Sequence, residues 1–426
     1  MTMAVFLGSL FLAILMAVPI AYALLICGVA LMLYMNYFSA QIVSQNLILG
    51  VDNFLLLAIP FFVLAGELMN VGGISRRIIQ VAMAFLGHVR GGLGYVAIFS
   101  ALILASLSGS AIADSAALAA LLVPMMRAGG YDEGRSVGLM AAGGIIAPVI
   151  PPSIALVVYG SIANVSIRSL FLAGIVPGLM MALALILCWR FLIRGEALPT
   201  LEPQSMAERL RTVGRGLPAL FLPVLVIGGL RMGYFTPTEA AVIAVAYATL
   251  VGAFVYGELT GAKLKTALLN AATTSAAVLF LIGASGVSAW LITTANLPNM
   301  LIDFLSPLID RPTLLMATVL GVVLVLGTVL DFSPLMLILM PLLLPLCKAA
   351  GIDLVYFGVV FTIAGALGML TPPVGNVLNV VAGVAEVRMS KVVTGVLPFL
   401  ISQIIVLIIL VLLPQLVTGP VAYWSR

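Results

Sequence analysis

Charged side chains are scarce in this sequence. Only 8% of its 426 residues are Asp, Glu, Lys or Arg, whereas 63% are hydrophobic, and the mean hydropathy is +1.28. An ordinary soluble domain carries roughly 25% charged residues, so the composition excludes a soluble globular protein. Apolar runs of about 20 residues recur along the chain between short polar segments. This pattern predicts an all-α polytopic membrane protein that lies in a lipid bilayer, not a β-barrel.

Cysteine and histidine are also rare. The three cysteines lie in apolar segments without CxxC spacing, which supports neither a disulfide framework nor a metal site. The single histidine, His88, and the lack of HExxH or GxSxG motifs in a core span argue against an intramembrane enzyme. The net charge of +4 reflects loop Lys and Arg and does not indicate a nucleic-acid partner.

Two apolar segments contain clustered prolines that a continuous membrane helix cannot contain. They read Ala147-Pro-Val-Ile-Pro-Pro-Ser153 and Leu370-Thr-Pro-Pro-Val-Gly375. Proline removes a backbone donor and clashes with the preceding turn, so each helix must break. Unwound backbone at membrane depth is tolerated only where it lines a protein-walled, hydrated cavity, which makes each break a candidate binding site. The sequence therefore predicts two broken helices, over 137–163 and 355–384.

Polar stretches interrupt two further apolar runs. Residues 106–114 interrupt the first run, and residues 328–334 interrupt the second. Each arm of the first run has about 12 to 16 residues, short of the roughly 20 that a full crossing needs. We therefore predict two re-entrant hairpins, over 92–127 and 313–347.

The two halves of the chain share a repeat. A shift of 221 positions aligns Pro124 with Pro345, Gly130 with Gly351, Asp132 with Asp353, and the Pro151-Pro152 pair with Pro372-Pro373, with no gap. One additional apolar span precedes the second copy, so the two copies are predicted to face opposite ways as an inverted repeat. The predicted divisions are a first repeat over 1–195, a connection over 196–216, and a second repeat over 217–426.

The connection between the repeats is predicted to be cytoplasmic. Membrane proteins retain an excess of Lys and Arg in their cytoplasmic loops. Five arginines surround this connection, namely Arg190, Arg194, Arg209, Arg211 and Arg215. The first apolar segment, Met3 to Tyr34, is predicted to be one retained span, because it is too long for the core of a signal peptide.

Several motifs resemble those of one family, the large membrane subunits of tripartite ATP-independent periplasmic (TRAP) transporters. The resemblance covers essentially the whole chain, in the right order. It is carried by Leu64-Ala-Gly-Glu-Leu-Met69, Ser106-Leu-Ser-Gly-Ser110, Gly144-Ile-Ile-Ala-Pro-Val-Ile-Pro-Pro-Ser153, Phe171-Leu-Ala-Gly-Ile-Val-Pro-Gly178, Thr236-Pro-Thr-Glu-Ala240 and Thr371-Pro-Pro-Val-Gly375. The segment Gly375-Asn-Val-Leu-Asn379 most resembles the enterobacterial systems assigned to diketogulonate.

This resemblance implies a transporter and not an enzyme. It implies a multi-pass protein of the bacterial inner membrane that couples sodium to symport of a small organic acid, a C4-dicarboxylate or a keto sugar acid such as 2,3-diketogulonate. The implied partners are a small four-helix membrane subunit and a periplasmic substrate-binding protein. The implied fold is that of the ion-transporter superfamily, whose hairpins and broken helices move as an elevator against a static scaffold.

The hairpin tips and helix breaks are the predicted binding sites for sodium and substrate. Sodium needs a cage of about five or six oxygens, which unwound backbone beside hydroxyl groups provides. The predicted sodium ligands are Ser106, Ser108, Gly109, Pro151, Pro152 and Ser153 at a first site, and Thr328, Asp331, Ser333, Thr371, Pro372 and Gly375 at a second. The predicted substrate contacts are Ser108, Gly109, Ser110, Ser153, Thr371, Asn376 and Asn379.

Other interpretations of the same residues remain open at this stage. Small residues in membrane helices often serve close packing, and Asp114 and Asp331 could cap backbone instead of binding ions. Glu67 and Glu239 could pair with arginines or face a partner subunit, an interpretation preferred for Glu239. The alternative function is a self-sufficient carboxylate transporter or antiporter of the same superfamily, which would transport without partners. A structural scaffold would have no reason to carry two duplicated helix breaks.

Overall fold

The protein is helical throughout the part that the structure describes. The computed structural model describes residues 2–196, 198 and 200–424, and no β-strand occurs among them. Eight helices of this described part are long and apolar enough to cross a membrane. The predicted all-α polytopic class is therefore confirmed.

The first half contains ten α-helices. A 3-10 turn at Phe54–Leu57 leads directly into the fourth of them. In chain order they are α1 Thr2–Leu15, α2 Ile20–Tyr34, α3 Ala40–Val51, α4 Ala58–Val71, α5 Ile74–Leu86, α6 Gly92–Ser108, α7 Ala111–Ala128, α8 Glu133–Gly144, α9 Ile154–Ala163 and α10 Ile167–Leu192.

The second half contains the remaining eleven helices of the described residues. A π-helical turn at Val251–Val255 extends the second of them. They are α11 Met206–Met232, α12 Pro237–Leu250, α13 Gly261–Thr294, α14 Leu297–Phe304, α15 Ser306–Ile309, α16 Pro312–Gly327, α17 Phe332–Ala349, α18 Leu354–Leu370, α19 Asn376–Ala385, α20 Met389–Leu412 and α21 Gln415–Trp424.

The first apolar segment forms two helices where the sequence predicted one span. α1 ends at Leu15, and Ala17 then adopts a left-handed backbone with φ +58°. Pro19 precedes α2, and proline disfavours helical backbone in the residue before it. The chain therefore reverses, and α1 packs against α2.

The arms of the first predicted hairpin are longer than the expected length of about 12 to 16 residues, and those of the second are of similar length. α6 has 17 residues, α7 has 18, α16 has 16 and α17 has 18. Their bounds, 92–128 and 312–349, differ slightly from the predicted 92–127 and 313–347. α7 and α17 reach the length of a full crossing, so arm length alone does not require re-entrance. The re-entrant arrangement stays a prediction.

Both proline-rich segments interrupt their helices at the expected places. Residues 145–153 separate α8 from α9, and residues 371–375 separate α18 from α19. Each break contains a cis peptide bond, Pro151-Pro152 in the first and Pro372-Pro373 in the second. α8 begins at Glu133 and not at 137, because the Asp132 side chain caps it by accepting the N–H of Arg135 at 2.7 Å.

Equivalent helices of the two halves follow the sequence repeat. Adding 221 to the bounds of α7, 111–128, gives those of α17, 332–349. The same shift places α10 over 388–413, against an observed α20 at 389–412. The opposite orientation of the two copies in a membrane stays a prediction, as do the predicted domain divisions.

The predicted polar connection over 196–216 is partly helical. Ser205 and Glu208 form a capping box that starts α11 at Met206, so residues 206–216 belong to that helix. Residues 197 and 199 of this connection lie outside the described residues.

Helices pack closely against one another in two regions. α4 packs against both α12 and α13, while α8 packs along α20. The second contact is made by backbone: a Cβ added to Gly138 would lie 2.8 Å from the Cα of Val396. Small residues permit this close approach of membrane helices.

An ion-pair cluster joins α5 to the segment before α13. Glu258 accepts hydrogen bonds from Arg77 and, at 2.7 Å, from Arg76, and the Arg77 guanidinium lies 4.1 Å from the centre of the Tyr256 ring. Burial alone would raise the pKa of the Glu258 carboxyl, but the Arg77 hydrogen bond and the charges of Arg77, Arg76 and Lys263 outweigh it and hold the pKa below 4.5.

Replacing Glu258 is expected to remove a pH-dependent contribution to stability. A lowered folded-state pKa stabilises the fold above the unfolded pKa, and this contribution is lost as the pH falls through the folded value. Glu258→Gln should therefore destabilise the protein by about 1 kcal/mol at neutral pH. The difference should shrink as the pH falls below 4.5. Thermal unfolding at several pH values measures it, with the exposed Glu202→Gln as control. A difference independent of pH would contradict this role.

Candidate functional site

The tip of the first hairpin is a two-residue turn between α6 and α7. Gly109 has a left-handed backbone with φ +63°, and the Ser110 hydroxyl accepts the N–H of Ala113 at 3.3 Å, which starts α7. The Ser106 hydroxyl donates to the carbonyl of Ile103 at 2.6 Å. A left-handed residue is needed for this reversal, and glycine adopts that conformation without strain.

The first tip lies against the first helix break. A Cβ added to Gly109 would lie 3.1 Å from the carbonyl oxygen of Pro152 and 3.1 Å from the amide nitrogen of Ile154. The fully buried Ser153 caps α9 by accepting the N–H of Leu156, and it donates to the carbonyl of Pro148 at 2.5 Å. The tip and break that the sequence predicted to meet are thus in contact.

The second tip meets the second break in the same way. The backbone N–H of Gly375 donates to the carbonyl of Thr328 at 3.1 Å. The Asp331 carboxylate caps α17 by accepting the N–H of Phe332 at 3.2 Å. The Thr371 hydroxyl donates to the carbonyl of Leu367. Each half of the chain therefore contains one pairing of a tip with a break.

A cavity of about 410 Å³ lies where these elements come together. Residues 108–113 of the first tip, residues 331–333 of the second tip, and Pro148 of the first break form part of its wall. α4 and α13 form a further part, including Glu67, Asn70 and Thr274, and residues of α9 and α18 complete the wall. The first residues of α7, α9 and α17 all line the cavity. Helix N-termini favour anions, so this side of the cavity suits a carboxylate.

The structure divides the predicted site residues into two groups. Five of them line the cavity: Ser108, Gly109, Ser110, Asp331 and Ser333. Others do not line it and lie in or beside the two tips and breaks: Ser106, Pro151, Pro152, Ser153, Thr328, Thr371, Pro372, Gly375, Asn376 and Asn379. Asn379 is exposed, and its amide donates to the carbonyl of Val374 at 2.9 Å.

The site predictions from sequence did not include the cavity residues on α4 and α13. Glu67 was noticeable as a charge in an apolar span, but its hydrogen-bond partner is the Asn270 amide at 3.2 Å and not an arginine. Thr274 had no distinguishing signal in the sequence. Glu239 forms a capping box with Thr236 at the start of α12 and not an arginine pair. Its side chain is exposed, so contact with a partner subunit, the other part of the interpretation preferred for it, stays a prediction.

The charged side chains of the described cavity wall are all acidic. Glu67 and Asp331 line it, whereas no Lys, Arg or His does so among the residues described. A bound organic acid would therefore have no basic side chain on this wall to neutralise it. The arrangement suits an anion only if helix N-termini and co-bound cations supply the positive charge.

Comparisons with known proteins agree over most of the chain. The family model described as the DctM component of tripartite ATP-independent periplasmic transporters matches residues 7–416. The 2,3-diketo-L-gulonate TRAP transporter large permease protein YiaN of Escherichia coli is 49% identical over 99% of this chain and 100% of its own length. The sialic acid TRAP transporter large permease protein SiaM of Vibrio cholerae is 38% identical, over 96% of each chain.

More distant relatives extend this agreement. The C4-dicarboxylate TRAP transporter large permease protein DctM of Pseudomonas aeruginosa is 34% identical over 85% of each chain. The crystal structure of the Alcanivorax borkumensis YdaH transporter superposes with a TM-score of 0.62 over 87% of this chain and 86% of its own, at 15% identity, which shows similarity of fold. This chain therefore belongs to the DctM family of TRAP transporter large permeases, and it is a multi-pass transporter of the bacterial inner membrane and not an enzyme.

Proposed function

We propose that this permease carries a small organic acid across the inner membrane together with sodium. The observation that carries the proposal is the cavity shared by both hairpin tips, which offers three helix N-termini and two carboxylates but no basic side chain in the described wall. An acid that binds there would depend on cations for charge compensation. Co-bound sodium would meet this electrostatic need.

The oxygen atoms at both tips are suitable ligands for a sodium ion. Ser106 and Thr328 use their hydroxyl hydrogens on helix carbonyls, which leaves oxygen lone pairs free. The first tip and break would supply ligands from Ser106, Ser108, Gly109, Pro151, Pro152 and Ser153. The second would supply them from Thr328, Asp331, Ser333, Thr371, Pro372 and Gly375. Bound sodium supplies the positive charge that the cavity lacks.

The proposed substrate is a keto sugar acid such as 2,3-diketogulonate, with a C4-dicarboxylate as the second candidate. The 49% identity to the diketogulonate permease favours the sugar acid, because the dicarboxylate and sialic acid relatives are less similar. Ser108, Gly109 and Ser110 would hold the carboxylate at the tip. Ser153, Thr371, Asn376 and Asn379 remain proposed contacts that require movement of the tips to reach the cavity.

We further propose that the chain works with a small four-helix membrane subunit and a periplasmic binding protein.

The tips and broken helices pack on one another, whereas α4 and α13 form the opposite wall of the cavity. The first group would move as an elevator against the second. One sodium in excess of the anion's charge would add roughly 2.3 kcal/mol of driving force per 100 mV of membrane potential.

Uptake into proteoliposomes tests the proposal. Labelled diketogulonate should enter vesicles that contain this chain and its small subunit only with an inward sodium gradient and the binding protein present. Labelled C4-dicarboxylate and sialic acid serve as comparison substrates. Uptake by this chain alone, independent of sodium, would instead support the self-sufficient carrier.

A further inference from the structure

Asp114 is a buried acid that the proposed sodium ligands do not include. It lies in the first turn of α7, four residues beyond Ser110 of the first tip, and is 3% exposed. Its Oδ2 atom is buried and has no hydrogen-bond partner, and no basic side chain pairs with it among the described residues. An ionised acid in this position needs a compensating positive charge, because an isolated buried carboxylate is strongly unfavourable.

The other carboxylate oxygen of Asp114, Oδ1, accepts a hydrogen bond from Ser108. The Ser108 hydroxyl donates to Oδ1 of Asp114 at 2.5 Å and accepts the backbone N–H of Ser110 at 3.1 Å. A serine hydroxyl has one hydrogen and two lone pairs. With the hydrogen directed to Asp114 and one lone pair used by Ser110, Ser108 retains a single lone pair at the cavity wall.

We propose that Asp114 is the positioning residue that makes the first hairpin tip a cation site, by taking the Ser108 hydrogen and supplying the negative charge behind it. Ser108 then offers only an acceptor to the cavity, which suits a sodium ion and repels a carboxylate. This inference rests on the proposed sodium coupling. It assigns Ser108 to the cation, in place of the substrate contact proposed for it above, and leaves Gly109 and Ser110 to hold the carboxylate of the substrate.

A neutral Asp114 would give the opposite arrangement. A protonated carboxyl would donate to Ser108, and the Ser108 hydrogen would then be free to bind the carboxylate of the substrate. The two arrangements therefore predict opposite effects of removing the charge at residue 114. Loss of the charge weakens sodium binding in the first arrangement and leaves it unchanged in the second.

Sodium-dependent thermal stability of the purified transporter, without substrate, tests the proposal. Sodium should raise the melting temperature relative to the same ionic strength of choline, because a ligand that binds the folded state stabilises it. Asp114→Asn keeps the shape and removes the charge, so the sodium concentration for half-maximal stabilisation should rise by about tenfold. Asp132→Asn makes the same exchange at an exposed helix cap and should leave that concentration unchanged.

Two further variants separate the charge at residue 114 from its packing. Asp114→Glu keeps the charge and should retain more of the sodium response than Asp114→Asn. Ser108→Ala should weaken the response, and the double variant Ser108→Ala/Asp114→Asn should lose less than the sum of the single losses, because the two residues act together. A normal sodium response in Asp114→Asn would overturn the inference alone. The absence of a response in the wild-type protein would overturn sodium coupling as well.

Discussion

Replacing Gly109 by alanine is expected to reduce transport by about tenfold or more while leaving a folded protein. Gly109 has φ +63°, and a left-handed alanine costs roughly 1–2 kcal/mol. The added methyl would also lie 3.1 Å from the backbone of Pro152 and Ile154, so the tip would have to move away from the break. Both cation and substrate contacts are proposed at this junction. The transport rate should therefore fall by about tenfold or more, whereas the free energy of unfolding should fall only by about the 1–2 kcal/mol of backbone strain. Proteoliposome uptake and thermal unfolding measure the two effects.

Gly130→Ala is the matched control for this prediction. Gly130 also has a positive φ, +73°, but nothing lies within 4 Å of an added Cβ. Both variants should therefore lose similar stability from backbone strain, and only Gly109→Ala should lose transport. Equal transport in the two variants would mean that contact between the tip and the break is not needed.

The second large effect is expected at the crossing of α8 and α20. A Cβ added to Gly138 would lie 2.8 Å from both the nitrogen and the Cα of Val396, so the two helix backbones must separate. Overpacking of this kind destabilises a protein by about 1–3 kcal/mol. α8 leads into the first break, so Gly138→Ala should lower both the melting temperature and the transport rate.

Gly228→Ala should have the opposite effect on stability. Gly228 lies in α11, and nothing lies within 4 Å of its added Cβ. Alanine in a helix interior is more favourable than glycine by about 0.5–1 kcal/mol, so this variant should melt at an unchanged or higher temperature. If Gly138→Ala were equally well tolerated, the α8–α20 crossing could not be as close as the structure has it.

Proline and glycine made much of the architecture predictable. The clustered prolines at 148–152 and 372–373 cannot continue a helix, and both helices break there. The short turn at Gly109 and the repeat of 221 positions likewise depend on local backbone preferences that sequence alone reveals. Helix ends were less predictable: Asp132 and Ser205 start α8 and α11 through side-chain caps that moved the predicted bounds by several residues.

The sequence by itself determined the membrane class, the two helix breaks and the family, because composition, proline position and motif order require no knowledge of distant contacts. Only the tertiary structure decided which residues share the cavity. Glu67 and Thr274 come from helices far apart in the chain, and no periodicity relates them to the hairpin tips. Only the tertiary structure also showed that the Ser108 hydroxyl donates to Asp114 and that the Asn379 amide donates to the Val374 carbonyl. Side-chain direction depends on packing between helices, which a linear pattern does not specify.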